Sequence, residues 1–280
     1  MELRRPSSLA ELPAGAGEGA VLLAGGTEVV PLLRGGLLHA ETLLDVRAVV
    51  PRGIEGRRVG AGTTLAEIEG SEDVPEALRE ACRLAASPQL RNAGTLAGNL
   101  LQATRCWYWR LGRPCRLHGG DECFARTGEH REHAIVANDF CASAHPSDVA
   151  AALLALGATV ETTTRTFPLG ELYRLPDAGN RRLTTLDRGE VLLRVDVPTP
   201  ERSVYLKAMD RARWSFPLVG VAAARTGGET RVALAGVAPV PWLLPDGELD
   251  GVTPLPRNAW KVDVARALVR RAVAALDAPA

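Results

Sequence analysis

The chain has 280 residues, enough for one large domain or two ordinary ones, each with its own core. Hydrophobic residues make up 46% and charged residues 24%, and 33 basic side chains balance 33 acidic ones. With no Lys/Arg run longer than a pair such as Arg181–Arg182, that balance argues against a nucleic-acid or anionic-membrane partner, which needs a one-signed surface. No segment has the run of apolar residues needed to span a bilayer, so no membrane insertion is expected. The opening Met-Glu-Leu-Arg-Arg-Pro lacks the apolar centre of a signal peptide, and a cytoplasmic location is expected, although a folded complex can also reach the periplasm on a partner's export signal.

The first fifty residues read as a small α/β unit. Val21–Ala24 is a short apolar strand, Gly25-Gly26 a turn, Thr27 onward a helix start with Pro31 near its first turn, and Thr42–Val46 a second strand. Residues 57–61 read as a strand and 64–69 as a short helix. Asp73 is expected to cap an amphipathic helix that presents Leu78, Cys82 and Ala85 on one face and ends before Pro88. A helix over 147–156, capped by Ser147 and closed by Gly157, precedes a strand over 158–163. The turn-rich stretch from Pro176 to Gly189 reads as a domain linker. Beyond it a meander of strands is expected over 191–197, 204–209, 218–225 and 231–237, with Gly227-Gly228 as a hairpin turn, and then a helix over 260–276. Apart from the Ala/Gly-rich 14–20 stretch, no low-complexity segment or repeat is evident. The class is α+β, with domains over 1–175 and 176–280.

Two loops carry glycine in a way that suits a diphosphate. Ala24-Gly25-Gly26-Thr27-Glu28 stands between a strand and a helix, where small residues let the backbone turn tightly and expose its N–H groups. Its spacing is neither GxGxxG nor GxxxxGK[ST], which disfavours a Rossmann site or an ATPase. The bland alternative is an ordinary strand-to-helix turn. The second loop, Arg91 to Asn99, offers Thr95, Gly98 and Asn99, whose side chains and backbone suit phosphate or ribityl oxygens.

Four of the five cysteines fall within 106–141, spaced Cys106-x8-Cys115-x7-Cys123-x17-Cys141. In a chain with no export signal a metal site is a better reading than a disulfide framework. A tetrahedral thiolate site can hold zinc or an iron–sulfur cluster, and spacing alone does not decide. The tight pairs usual in structural zinc sites are absent, and widely spaced single cysteines fit a 4Fe–4S cube better. Cys82, on the apolar face of a helix, reads as core. His118, His130, His133 and His145, in or beside the same stretch, read as surface or hydrogen-bonding groups.

Taken together, the two loops, with Arg5-Pro6-Ser7-Ser8-Leu9, Thr63-Thr64-Leu65-Ala66-Glu67-Ile68, Tyr205-Leu206-Lys207, Gly236-Val237-Ala238-Pro239 and Asn258-Ala259-Trp260-Lys261-Val262, resemble the FAD-binding subunit of the xanthine dehydrogenase/carbon monoxide dehydrogenase family of molybdenum hydroxylases. The resemblance implies a two-part FAD-binding domain of the vanillyl-alcohol-oxidase type, with subdomains at about 1–54 and 55–175, followed by a small α+β domain with an antiparallel sheet. It implies that Ala24–Glu28 and Thr95–Asn99 cradle the FAD diphosphate from two sides. This chain has Ala97-Gly98-Asn99 where the family usually has Gly-Gly-Asn.

In relatives a Pro-x-Ser-Asp segment follows that Asn closely, and its Asp binds the ribityl chain. Here His145-Pro146-Ser147-Asp148 comes only after an insertion over about 101–144 that holds the four cysteines. The insertion resembles the 4Fe–4S-bearing one in the flavin subunits of periplasmic aldehyde oxidoreductases and 4-hydroxybenzoyl-CoA reductase. By resemblance Cys106, Cys115, Cys123 and Cys141 hold the cluster, Asp148 meets the ribityl hydroxyls, Lys207 lies near the flavin ring and Trp214 beside it. Trp107, Tyr108 and Trp109 read as packing that covers the cluster.

The expected function is electron transfer. Two 2Fe–2S clusters on a small partner subunit would pass electrons to FAD on this chain after oxidation of a substrate, aldehydes first among candidates, at a molybdopterin on a large subunit. The acceptor would be ferredoxin, NAD+, a quinone or oxygen. The rival readings are a self-contained flavin oxidase and a zinc-stabilised scaffold on a relic flavin fold.

Overall fold

The structure, a computed structural model, describes residues 1–12 and 19–278, so the Ala/Gly-rich stretch lies for the most part outside the described residues. The N-terminal unit comprises β1 (Glu2–Arg4), β2 (Ala20–Leu23), α1 (Val29–Arg34) and β3 (Thr42–Asp45). Its three strands pair in parallel in the order β1-β3-β2. Strand β1 escaped the sequence reading because three exposed residues carry no periodicity. Helix α1 begins at Val29 rather than Thr27, since Glu28 occupies the cap position.

Next come β4 (Ile54–Glu55), β5 (Arg58–Gly60), α2 (Leu65–Glu69), α3 (Glu76–Ala85), α4 (Pro88–Ala93), α5 (Leu96–Leu100), α6 (Trp107–Arg110), α7 (Phe124–Thr127), α8 (Asp148–Ala155), β6 (Thr159–Thr162), β7 (Thr166–Pro168) and β8 (Leu192–Asp196). Thr64 caps α2 in a capping box with Glu67. Asp73 does not cap α3. Pro75 does, through its fixed φ of −58°, and α3 starts after it. Pro88 is likewise not a terminator but the first residue of α4, with Ser87 as its cap. Ser147 caps α8 as expected, its Oγ accepting the Ala150 N–H at 2.9 Å.

Strands β4-β5-β8-β6-β7 form an antiparallel sheet in that order. Strand β8 therefore belongs here, between β5 and β6, and not to the C-terminal meander in which the sequence reading put residues 191–197. Local text shows that a strand forms; only long-range pairing shows with which partners.

The meander itself is β9 (Arg202–Ala208), β10 (Val219–Thr226), β11 (Glu229–Ala235) and β12 (Trp242–Leu244), ordered β12-β11-β10-β9, with α9 (Trp260–Asp277) packed against β9 and β10. Gly227 and Gly228 make the hairpin turn between β10 and β11, with φ of +59° and +81°, conformations that glycine adopts without strain. Helix α8 is buried along its whole length, against α3 on one side and β10 and β11 on another. Its four alanines permit approach from every side, so α8 is the pillar that joins the five-stranded sheet's core to the meander.

One buried carboxylate pins the turn before β8. Glu190 accepts hydrogen bonds from Thr162 Oγ1 (2.6 Å), Thr164 Oγ1 (2.9 Å), Arg165 Nε (2.9 Å) and the Asp187 N–H (2.7 Å), and the Arg165 guanidinium holds it down at about 2. A carboxyl lowered on folding stabilises the fold above its unfolded value near 4.5, and that stabilisation is lost as pH falls toward 2. Glu190→Gln is expected to cost roughly 2 kcal/mol at neutral pH, after discounting for the partly exposed Arg165. In urea denaturation the gap between wild type and variant should close between about pH 4.5 and pH 2; a gap independent of pH would rule out the ionised carboxylate as its source.

Candidate functional site

The loop from Ala24 to Glu28 leaves β2 and enters α1 through Gly26, whose φ is +73°. Gly25 lies against the end of α4 so closely that a Cβ on it would stand 1.7 Å from the Ala93 carbonyl oxygen. The two glycine-bearing loops are thus in direct backbone contact. Among the described residues no acceptor is found for the backbone N–H groups of Gly26, Thr27 and Glu28. The second loop differs: Leu96 N–H donates to Thr63 O (2.8 Å), Ala97 N–H to Ala61 O (3.0 Å), Gly98 N–H to Thr95 Oγ1 (3.2 Å) and Asn99 N–H to Thr95 O (2.9 Å). Free backbone donors for an anion therefore come mainly from the first loop, and the second adds the Thr95 N–H, which likewise has no acceptor among the described residues, with a wall and side chains.

Two cavities meet over this junction, and Thr27, Glu28 and Gly98 line both. One, of about 220 Å³, is walled mostly by apolar groups, among them Leu22, Val46, Val50, Ala61 and Leu192, together with Ala24, Thr95 and Glu190. The other, of about 260 Å³, presents Asn99, Gln102, Arg105, Trp214, Ser215 and Phe216. Trp214 and Phe216 are the aromatic side chains of this second lobe. A third cavity of about 540 Å³ shares Arg105, Pro146, Ser215 and Phe216 with the second and reaches Cys106, His133 and His145.

Asp148 and Lys207 are not among the residues lining these cavities. Lys207 Nζ donates to Asp148 Oδ2 at 2.8 Å and to Leu84 O at 2.8 Å, and Tyr205 donates its hydroxyl proton to Asp148 Oδ1. Both members of the ion pair have side chains no more than 1% exposed. Burial pushes the Asp148 carboxyl up, and Lys207 and Tyr205 partly offset that. Ser147 is the N-cap in extended conformation and Asp148 the first residue of α8, so their side chains leave the backbone in different directions. Ser147 faces the loop, donating its hydroxyl to Asn99 Oδ1 at 2.6 Å, and Asp148 turns into the core. Polar groups that do line the second lobe include Thr27, Glu28, Asn99, Gln102, Arg105 and Ser215.

Glu28 turns out to be an anchor. Its Oε1 accepts from Arg110 Nη2 (2.6 Å) and the Ala103 N–H (3.2 Å), and its Oε2 lies 2.8 Å from Arg105 Nη2. The loop before α1 thus grips the start of the cysteine-bearing insertion on both sides of Cys106.

Cys106, Cys115, Cys123 and Cys141 line one small space of about 20 Å³, flanked by Tyr108, Trp109, Phe124 and Phe140, with Cys115 and Cys141 buried and Cys106 and Cys123 half-buried. Trp107 lies outside it, edge-on to His133 with ring centroids 4.5 Å apart. Among the described residues, no three His, Cys, Asp or Glu side chains converge on a single ion position. Burial pushes the Cys141 thiol up to about 12 and Cys106 upward as well. Cys106 Sγ contacts His133 Nε2 at 3.2 Å, His118 stacks on Trp109, and His130 bridges Ala125 O and the Arg257 N–H. Cys82 is fully buried in the main core, as expected.

The two glycines make a discriminating pair. Gly26→Ala places a side chain in the left-handed region, at a cost of about 1–2 kcal/mol, with Val30 Cγ2 3.3 Å from the new Cβ. Gly25→Ala must push two backbone segments apart, because the clash is with a carbonyl group, and is expected to cost well over about 3 kcal/mol. Thermal unfolding of the two variants should rank them in that order; equal destabilisation would mean that the loops do not need this contact.

Comparison with known proteins bears on what this site holds. Residues 1–200 match the family described as the FAD binding domain in molybdopterin dehydrogenase. The aldehyde oxidoreductase FAD-binding subunit PaoB of Escherichia coli (strain K12) is 39% identical over 246 residues, covering 80% of this chain and 76% of that one. Among solved structures, reconstituted CO dehydrogenase from Oligotropha carboxidovorans superposes with a TM-score of 0.68 at 22% identity, covering 98% of this chain and 96% of that one. Quinoline 2-oxidoreductase from Pseudomonas putida 86 does so with a TM-score of 0.67 at 21% identity, covering 98% and 95%. With its glycine loops, two-lobed cavity and three-sheet α+β fold in place, this chain belongs to the family of FAD-binding domains of molybdopterin dehydrogenases.

Proposed function

We propose that the chain is the FAD-carrying electron-transfer subunit of a molybdenum hydroxylase, and that it also holds a 4Fe–4S cluster on Cys106, Cys115, Cys123 and Cys141. The carrying observation is the juxtaposition of a two-lobed cavity, joined over a loop with free backbone N–H groups, and a small space lined by all four thiols. The cavity suits a dinucleotide. The first lobe, mostly apolar, suits the adenosine half. The N–H groups of Gly26, Thr27 and Glu28 suit the diphosphate between the lobes. The second lobe, with Trp214, Phe216, Asn99 and Gln102, suits the isoalloxazine, and it is the lobe nearer Cys106.

The thiol space suits a cluster better than a single ion. Structural zinc sites usually take tight cysteine pairs, and Cys106, Cys115, Cys123 and Cys141 are spaced singly along the segment. A four-iron cube spreads its ligands over four corners, as four separate loops would. When bound, FAD supplies a carrier that exchanges electrons singly or in pairs, and a cluster one that passes them singly. This chain's own residues would orient both groups and shield them from water: Tyr108, Trp109, Phe124 and Phe140 flank the thiols, and Glu28 fixes the flavin loop to the Cys106 segment. Partners follow from the family: a molybdopterin-binding large subunit, a 2Fe–2S small subunit, and an external acceptor. The similarity to an aldehyde oxidoreductase subunit makes aldehydes the proposed substrate class of the complex.

The iron assignment has a direct chemical test. Anaerobically purified chain should contain about four iron and four sulfide. Cys115→Ser or Cys123→Ser should lose most of that iron while keeping much of the FAD, and Cys82→Ser should leave iron unchanged. Equal iron loss in the Cys82 variant would refute the ligand set.

Division of labour is testable by turnover. The isolated chain should pass electrons from a chemical reductant to an artificial dye, with no turnover on aldehydes. Aldehyde oxidation should appear only when both partner subunits are present. Robust aldehyde oxidation by the chain alone would instead favour a self-contained flavin oxidase.

A further inference from the structure

The cation beside the flavin lobe was expected to be Lys207, but that ammonium is fully buried and bonded to Asp148. Arg105 lines the second lobe instead. Its guanidinium lies over the Phe216 ring, 4.6 Å from the centroid, and its Nη2 donates to Gln102 Oε1 at 2.8 Å. It also lines the third cavity, and it is the residue immediately before Cys106. The group is three-quarters buried, so solvent screens it weakly.

Its charge is not simply cancelled. Glu28 is the one carboxylate in contact with it, and Glu28 is shared between Arg105 and Arg110. Two guanidiniums against one carboxylate leave one net positive charge at the wall between the flavin lobe and the cysteine segment. Across the third cavity Asp210 lies 3.9 Å from Arg131, Arg211 donates to the Trp214 carbonyl oxygen, and Glu132 is an exposed carboxylate that solvent screens; none of the three lines the second lobe. An arginine keeps its proton at any working pH, so this charge is permanent.

We infer that Arg105 is the residue that sets the reduction potential of the bound flavin, with Glu28 acting as a counter-charge that limits its effect. The inference rests on the proposed placement of the isoalloxazine in the second lobe. Two-electron reduction adds two electrons and one proton, leaving the ring one unit more negative. A fixed cation facing the lobe favours that product over the oxidised ring, and a carboxylate beside the cation opposes it. Arg105 also lies between the flavin lobe and the first cysteine, so the same charge acts on the side from which or to which electrons move.

The test is the midpoint potential of flavin bound to the full chain, titrated against a reference dye and followed through the flavin's own visible band. Wild type, Arg105→Gln, Arg105→Lys and Glu28→Gln are compared. Arg105→Gln should reduce the preference for reduced over oxidised flavin roughly tenfold, a fall of about 30 mV for a two-electron couple. Arg105→Lys should stay close to wild type, and Glu28→Gln should move the potential upward. A merely structural role would alter flavin content without giving shifts of opposite sign. If Arg105→Gln retains no flavin, Arg105→Lys and Glu28→Gln decide: a Glu28→Gln potential at or below wild type overturns the inference. Wild-type potentials in all three variants overturn it alone, whereas a wild-type chain that takes up no FAD overturns the proposed function first.

Discussion

The contact of Gly25 with the Ala93 carbonyl is the constraint on which the rest of the site depends. The core of the N-terminal parallel unit is completed by Val191 and Leu193 at β8, whereas α2–α5 belong to the main core. At the cleft between them, one loop from each is pressed backbone to backbone. A side chain at residue 25 would hold them apart. The close approach then lets Thr27, Glu28 and Gly98 serve as common wall to both lobes, and leaves the N–H groups of residues 26–28 facing a space rather than a carbonyl partner.

From that junction the order extends outward by charge. Glu28 reaches Arg105, Arg110 and the Ala103 N–H, so the loop before α1 organises the first turns of the cysteine-bearing segment. The far end of that segment is tied to the C-terminal unit instead. Lys261 Nζ donates to Glu132 O, His133 O and Gly236 O at 2.6–2.9 Å, and Asn258 Nδ2 donates to His133 O and Ala134 O. An insertion held at both ends by buried polar contacts can keep four cysteines around one small space without regular structure of its own beyond short helical turns.

The Asp148–Lys207–Tyr205 cluster does for the core what Glu28 does for the site. It joins α8, β9 and the end of α3 through one buried carboxylate, where loss of either charge would leave the other uncompensated. Its location also shows how two neighbouring residues of one motif take different partners. His145-Pro146-Ser147-Asp148 does approach the second loop, but through Ser147 and Asn99. The neighbouring Asp148 points the other way.

By itself, the sequence determined the local elements and the inventory of chemistry. Strand β3, helix α8 with its Ser147 cap, the Gly227-Gly228 hairpin and helix α9 were all legible, because periodicity, caps and turn residues act within a few positions. So were the two glycine loops, the grouping of four cysteines apart from Cys82, and the family, because those residues stand in characteristic order. Only the tertiary structure decided which residues face one another. Local text cannot show that β8 pairs with β6 across the linker and with β5 from far earlier in the chain, since pairing is set by partners outside the local window. Nor can it show that Lys207 is spent on Asp148 while Arg105 faces the lobe. A charge has no role until packing has chosen its neighbours and removed the water that would screen it.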